Sequence, residues 1–578
     1  MTNTPKFDAM IKKVLDQTEP GIRVDRITGE EWGLTAEEIE WYRKFNVPPA
    51  TLSPVTRLKM LLGFATGISI WWNKDCKTNE PILSFMHPDI PIPCMNDKDW
   101  WVSDFSHDQA IDLDQPFFDQ MRTLIQKTPY CASRDDGSNQ NSICVDVLKS
   151  EDLYMAFGGN ECRRLTYAAL FFDAEDSIDV TNIWKSRECF RCNRASKCHK
   201  CFACLECFDC INCNFLFDSR NCEDCFGGAN LRNSKYVFFG EQLSKEEYQK
   251  RITEIDLSCS DQWNKYWNQF VDILENNAAW PENFNNDAKG SNGDYLDKVA
   301  RCKDCYWFET STDMYKCWVG DSMEDSAFCT WSGWGSDCYM SNGLVKVKKV
   351  MFSDQTWNSI NVEYCYNCHN CEFCFGCAGL QRKKYCIYNK QYTEEEYWKR
   401  VDELKCVMLD RGEYGEWFPS DLSPMGMQFS MGAEFLDYSE QEIKQLGGLR
   451  FDPNKGIVLA PQKVDASNAV SIEQIPDCLS EVDSDKLVGK PIYDPELDRP
   501  YSVLPREFEF YQKQGLPFPR EHFITRLRNL LRSSNIPLTE STTCQACDKK
   551  ITVHKNQMFP KRKVYCRECY LKYLEINS

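Results

Sequence analysis

Two cysteine patterns in this 578-residue chain have the residue type and spacing to do chemistry. Near the C-terminus, Cys544-x-x-Cys547 is followed, after eighteen residues, by Cys566-x-x-Cys569. Each knuckle places two thiolates on one ion, and two knuckles close a tetrahedron, which is the four-cysteine zinc-ribbon spacing. Because protein fills all four positions, such a site is structural and leaves no place for water or substrate. His554 lies between the knuckles, but nothing requires it as a ligand.

The second pattern is denser. Cys189 and Cys192 lead into Cys198, Cys201, Cys204, Cys207, Cys210 and Cys213 at every third residue, and Cys222 and Cys225 follow. A second set holds the Cys302/Cys305 knuckle and then Cys365, Cys368, Cys371, Cys374 and Cys377, again in steps of three. A period of three fits neither the alternation of a strand nor the face of an α-helix. Two readings compete. These thiols are either additional metal ligands or small interior side chains of a β-solenoid. Evenly spaced runs do not divide into closed four-cysteine sites, and histidine is nearly absent around the first run apart from His199, so packing is favoured.

The elements that must position these residues are duplicated. CFGGANLRNSKYVFFGEQLSKEEYQKRI, from Cys225, aligns without a gap to CFGCAGLQRKKYCIYNKQYTEEEYWKRV, from Cys374, with 13 of 28 positions identical at a separation of 149. Each copy ends in a Gly-containing corner, an aromatic strand and a helix with a capping box, Ser244 with Glu247 and Thr393 with Glu396. Phe215-Leu216-Phe217 and Val237-Phe238-Phe239 read as successive coils. Copy two has Cys377 where copy one has Gly228, a substitution that favours packing over ligation. A second duplication joins the ends: EWYRKFNVPPATLSPVTRLKMLL matches EFYQKQGLPFPREHFITRLRNLL at an offset of 469, pairing Tyr42 with Tyr511 and Arg57 with Arg526. Thr35 with Glu38 reads as a further capping box.

The expected fold is therefore mixed and β-rich: duplicated, cysteine-rich, β-solenoid-like repeats with capping helices, flanked by small helical and zinc-ribbon modules. The expected divisions are a helical module at 1–75, an aromatic acidic segment at 76–150, repeat one at 151–260, a connector at 261–300, repeat two at 301–412, a second connector at 413–500, and a basic helix with the four-cysteine ribbon at 501–578.

Composition bounds the function. The start MTNTPKFDAMIKKVLDQ lacks the regions of a signal peptide, and the longest apolar run, Met60 to Trp72, is too short to span a bilayer. The expectation is an intracellular protein whose 33 cysteines take metal or core roles rather than forming disulfides. A net charge of −19 disfavours nonspecific nucleic-acid binding by the whole molecule. Residues 501–578, however, carry 14 Lys/Arg against 7 Asp/Glu. This basic module gives a nucleic-acid alternative in which Arg526, Arg528, Lys561, Arg562 and Lys563 contact phosphates. A third class, thiol redox or metal storage, is suggested by cysteine density. The sequence carries no Gly-rich phosphate loop, nucleophile elbow or zincin motif, and no small-molecule substrate is indicated. His107 beside Asp108 reads as surface hydrogen bonding. The favoured function is a non-enzymatic zinc-binding scaffold that acts through a protein partner or a larger assembly.

The chain also resembles a cysteine-rich zinc-ribbon repeat family encoded by candidate-phyla bacteria and some large viruses. The resemblance covers nearly the whole chain. It rests on the two repeat blocks ending in SKEEY and TEEEY, the Cys76 segment leading to Trp100-Trp101 and DLDQPFFDQM, the EFYQKQGLPFPREH segment and the KVYCRECY ending. Members carry a further N-terminal zinc ribbon before the PP-containing segment. Here RVDRITGEEW and LSPVTRL lack its cysteines, which implies a ribbon that has lost its metal. The family has no assigned activity, so the resemblance implies architecture and zinc, with a virion location where the gene is viral.

Overall fold

The backbone explains the period of three. In the structure, a computed structural model that describes residues 2–459 and 467–577, every third residue from Glu161 to Phe239 and from Tyr295 to Tyr388 has a positive φ. For a non-glycine residue this left-handed conformation costs roughly 1–2 kcal/mol. Asn and Asp tolerate it best, and they recur there, as at Asp173, Asp176, Asp179 and Asn182. Each such residue turns the chain, and the residue after it is in most cases buried, as where Glu188 precedes Cys189 and Ala203 precedes Cys204. Four turns return the chain to its starting line. Residue i then pairs in parallel with residue i+12, as in Arg163↔Glu175, Phe190↔Phe202 and Cys374↔Cys386.

Two such parallel ladders form, over residues 140–242 and 286–391. The sheets are small and open, and the chain as a whole is mixed α and β, with 14 α-helices among the described residues. The register corrects one expectation. Asn214–Phe217 pairs with Phe226–Ala229, and that strand pairs with Val237–Phe238. The two aromatic triplets are thus separated by an intervening turn rather than being neighbours.

The buried thiols are hydrogen-bonded to the ladder. Cys204 Sγ donates to the carbonyls of Phe202 at 3.6 Å and Cys213 at 3.4 Å, two residues back and nine ahead. Serines at such sites do the same. Ser186 Oγ donates to Trp184 and Ala195, and it also accepts from the Cys198 N–H. The inward position therefore selects a small side chain with one short donor, and Cys adds apolar bulk to that.

Each ladder ends in an antiparallel strand, Glu241–Gln242 in the first and Lys390–Gln391 in the second, which occupies the open edge. The helices Lys245–Thr253 and Glu394–Asp410 follow, and both capping boxes are formed. The third expected box is only half formed. Thr35 accepts from the Glu38 N–H, but the Glu38 carboxylate turns inward to Tyr42 and Arg57.

Packing between the duplicated parts is crossed. The N-terminal region sits on the second ladder, with Trp41 stacked 5.9 Å from Tyr315 and Phe117 5.0 Å from Tyr364. The C-terminal region sits on the first, with Phe523 stacked 4.7 Å from Tyr167 and Tyr511 5.8 Å from Phe190. The ladders meet where the Arg194 guanidinium lies 3.5 Å from the Tyr295 ring and Tyr295 donates to Glu206. A disulfide joins Cys259, ahead of helix Ser260–Asn276, to Cys478 in the second connector. The expectation that thiols avoid disulfides fails at this pair. An antiparallel bridge sets the two residues directly opposite each other, as a cross-strand bond requires.

Candidate metal centre

The four ribbon cysteines come from one hairpin turn and one strand-to-helix junction. Cys544 and Cys547 lie in the turn between strands Asn535–Thr543 and Lys550–Asn556, while Cys566 and Cys569 bracket the start of helix Arg567–Asn577. Asp548, with φ 57°, closes the first turn, and its N–H donates to the Cys544 carbonyl at 3.0 Å. The four sulfurs lie within 4.8 Å of one another, and Cys547 Sγ and Cys566 Sγ are 3.8 Å apart. Burial pushes the Cys544 thiol up, but the N–H groups of Cys566 and Ala546 aimed at its sulfur outweigh this and bring it down to about 6. The arrangement can hold one metal ion.

Three further segments repeat this turn with a carboxylate in place of the first cysteine. Asp25, Asp75 and Asp494 stand where Cys544 stands. In each, one carboxylate oxygen accepts two N–H groups of its own turn: Ile27 and Thr28, Lys77 and Thr78, Glu496 and Leu497. The other oxygen accepts the N–H of a residue that caps a later helix: Ser53 at 2.7 Å, Asn96 at 2.8 Å and His522 at 2.7 Å. Cys566 N–H donates to Cys544 Sγ in the same way at 3.3 Å. A left-handed residue follows four positions on in all four: Gly29, Asn79, Asp498 and Asp548. The carboxylate thus links turn to helix, as a metal would through thiolates. Hydrogen bonds from the Asn96 N–H and from the turn outweigh burial and hold Asp75 at about 2, and Asp25 is also lowered.

The 1–75 module does lack cysteines at these places, as its sequence indicates. The turns at Asp75 and Asp494 are not recognised from sequence. Their signal, an Asp followed four residues later by Asn or Asp and then a short strand, is too common to stand out without the pairing geometry.

The remaining candidate residues divide by burial. Cys189, Cys192, Cys198, Cys201, Cys204, Cys207, Cys210, Cys213, Cys222 and Cys225 are all buried in the first ladder. Cys302, Cys305, Cys365, Cys368, Cys371, Cys374 and Cys377 are buried in the second. Among the described residues, no three of these converge as metal ligands. Burial pushes Cys305, Cys317 and Cys377 well above the usual thiol range. Cys201 is buried as well, and its sulfur has no access to solvent.

The proposed phosphate contacts are largely committed inside the molecule. Arg526 is buried against Asp179 and Glu507. Arg528 is forked onto Glu434, Arg562 donates to the carbonyls of Phe559 and His554, and Lys563 donates to the Asn276 carbonyl. Lys561 alone of the five is exposed without such a partner among the described residues. Of these residues, Arg526 docks on the first ladder through Asp179, while the partners of Arg528, Arg562 and Lys563 lie outside it. His107 packs edge-on against Tyr388, 5.5 Å away. No described helix is long and apolar enough to cross a membrane. No protein-family model matches this chain, and no curated protein does.

Proposed function

We propose that this chain is a non-enzymatic, intracellular scaffold built on two β-solenoids, with one structural zinc at Cys544, Cys547, Cys566 and Cys569, and that it works through contacts with other proteins. The closed sulfur set carries the metal reading. Thiolates about 2.3 Å from a tetrahedral zinc stand about 3.8 Å apart, the separation between Cys547 and Cys566. The scaffold reading is supported by two shallow surface grooves in equivalent positions on the two ladders. Ser322, Glu324, Trp334, Lys346 and Lys348 line one; Asp173, Glu175, Lys185, Lys197 and His199, each 149 residues earlier, line the other. Trp334, in the groove on the second ladder, is 52% exposed, and Ile360 and Ile211, again 149 apart, are exposed large apolar residues.

Metal analysis by mass spectrometry tests the centre. The full chain should hold about one zinc, and Cys566→Ser should release it, because metal binding and folding are coupled in small ribbons. Several equivalents dependent on Cys198 to Cys213 would overturn the assignment. Purification from the native source tests the scaffold, and recovery only as a free monomer would count against it.

A further inference from the structure

A cleft of about 200 Å³ opens where the first ladder, the start of the second and the last helix meet. Arg220 and Arg232 line it from the first ladder, Asn285 from the segment leading into the second, and Arg567 and Leu571 from helix Arg567–Asn577.

The corresponding place in the other half of the molecule is filled. Asn96 and Cys566 occupy the same point of their turns, so Trp101 and Leu571, five residues after each, are equivalent. Tyr130 pairs with Cys94 as Trp280 pairs with Val564, which makes Asp135 the counterpart of Asn285. Tyr570 accepts from Arg232 at 2.9 Å, while the Trp100 carbonyl accepts from Gln381, 149 residues after Arg232. In the filled half, the Trp101 indole N–H donates to the Asp135 carbonyl at 2.6 Å. Its ring lies 4.9 Å from His369 and 6.1 Å from Trp357. In the open half, the counterparts of those two rings are Arg220 and Phe208, with the guanidinium 4.7 Å from the ring centroid. Leu571 replaces the indole and is 47% exposed.

We propose that this cleft receives the aromatic side chain of a tryptophan in an acidic segment of a partner protein. The proposal rests on the reading of the chain as a scaffold and names the chemistry of what it holds. The shape argument is internal: the molecule fills the same place with its own indole when the residue there is Trp101, and Leu571 is too small to do so. The Arg220 guanidinium, already stacked on Phe208, offers a planar face to an aromatic ring. Charge selects acidic flanks. Arg220, Arg232 and Arg567 surround the cleft against Asp218 and Glu282, a surplus of one positive charge, and the Asp218 carboxylate is shared among Arg232, Tyr570 and, at 4.0 Å, Arg220.

The test uses the full chain and a fluorescein-labelled peptide with one Trp among Asp and Glu, read by anisotropy. Saturable binding is expected, weakened about tenfold or more when the peptide Trp is changed to Ala. Leu571→Trp should refill the cleft and weaken binding to the same degree, with an unchanged melting temperature showing that the variant folds. Arg220→Ala should weaken it independently. The proposal is overturned if no saturable binding is seen, or if Leu571→Trp and Arg220→Ala both bind like the parent. Competition by indole-3-acetate as strong as by the peptide would reassign the cleft to a small aromatic acid. Self-association of the full chain that Leu571→Trp abolishes would reassign it to a second copy. With the zinc content intact, failure of binding removes this inference and leaves the metal assignment standing.

Discussion

Arg526 and Asp179 lie 347 residues apart in sequence and meet at 2.9 Å, both fully buried. Their counterparts in the other half are Arg57 and Phe328, where the guanidinium lies 3.9 Å from a ring instead of a carboxylate. In both modules the arginine also meets a buried Glu–Tyr pair, Glu38 with Tyr42 and Glu507 with Tyr511. One docking solution therefore recurs with a different partner on each ladder.

Removing one member of a buried ion pair leaves the other charge uncompensated, at a cost of about 3–5 kcal/mol. Arg526→Ala should therefore destabilise the chain by that order, as a fall in thermal midpoint, and should expose the 501–533 helices to proteolysis. Lys561→Ala, at an exposed site, should change the midpoint little. Equal effects would show that Arg526 does not carry the docking.

The ladder interior predicts which substitutions of a thiol are tolerated. Cys204→Ser keeps a donor for the Phe202 and Cys213 carbonyls, as Ser186 does at its own position. It should cost about 1 kcal/mol. Cys204→Asp buries a carboxylate without a cation and should prevent folding of the first ladder. Circular dichroism and denaturant titration distinguish the two. In the native protein the ladder thiols should also be silent to a thiol reagent, whereas Cys76, which is exposed, should react.

Asp75 gives a pH dependence whose sign is fixed. Its carboxyl titrates at about 2 in the folded chain, against about 3.9 when unfolded. A depressed folded value adds stability that is fully present above the unfolded value and is lost as pH falls through the folded one. Asp75→Ala should lower the midpoint at neutral pH by the equivalent of about 1–3 kcal/mol. The gap between parent and variant should narrow as pH falls from about 4 to about 2. A constant gap across that range would mean that the carboxylate does not hold the turn.

Cys566→Ser should unfold the terminal turn and helix while the ladders keep their structure, because their hydrogen bonds do not pass through the metal centre. Limited proteolysis should then cut within 535–577 and spare 140–391. Loss of both together would show that the ribbon holds the ladders in place.

Much of this organisation is local and can be read from the chain. The Cys544/Cys547 and Cys566/Cys569 spacing places two ligand pairs because a knuckle is one turn long. The period of three and the 149-residue duplication mark the repeated turns, since each inward residue is set by the left-handed residue before it. Ser244 with Glu247 and Thr393 with Glu396 cap their helices through neighbours three residues away. Other features depend on groups distant in sequence, and only the tertiary structure decides them. Glu38 has the spacing of a capping box, but it turns inward because Arg57 and Tyr42 offer stronger partners in a buried site. Arg526 and Arg528 look like a basic surface until Asp179, Glu507 and Glu434 are brought against them, and Arg562 and Lys563 until the carbonyls of Phe559, His554 and Asn276 accept from them. Trp101 and Leu571 differ by one side chain in equivalent places. That Trp101 fills its site while Leu571 leaves a cleft follows from surfaces that the ladders supply from residues 149 apart.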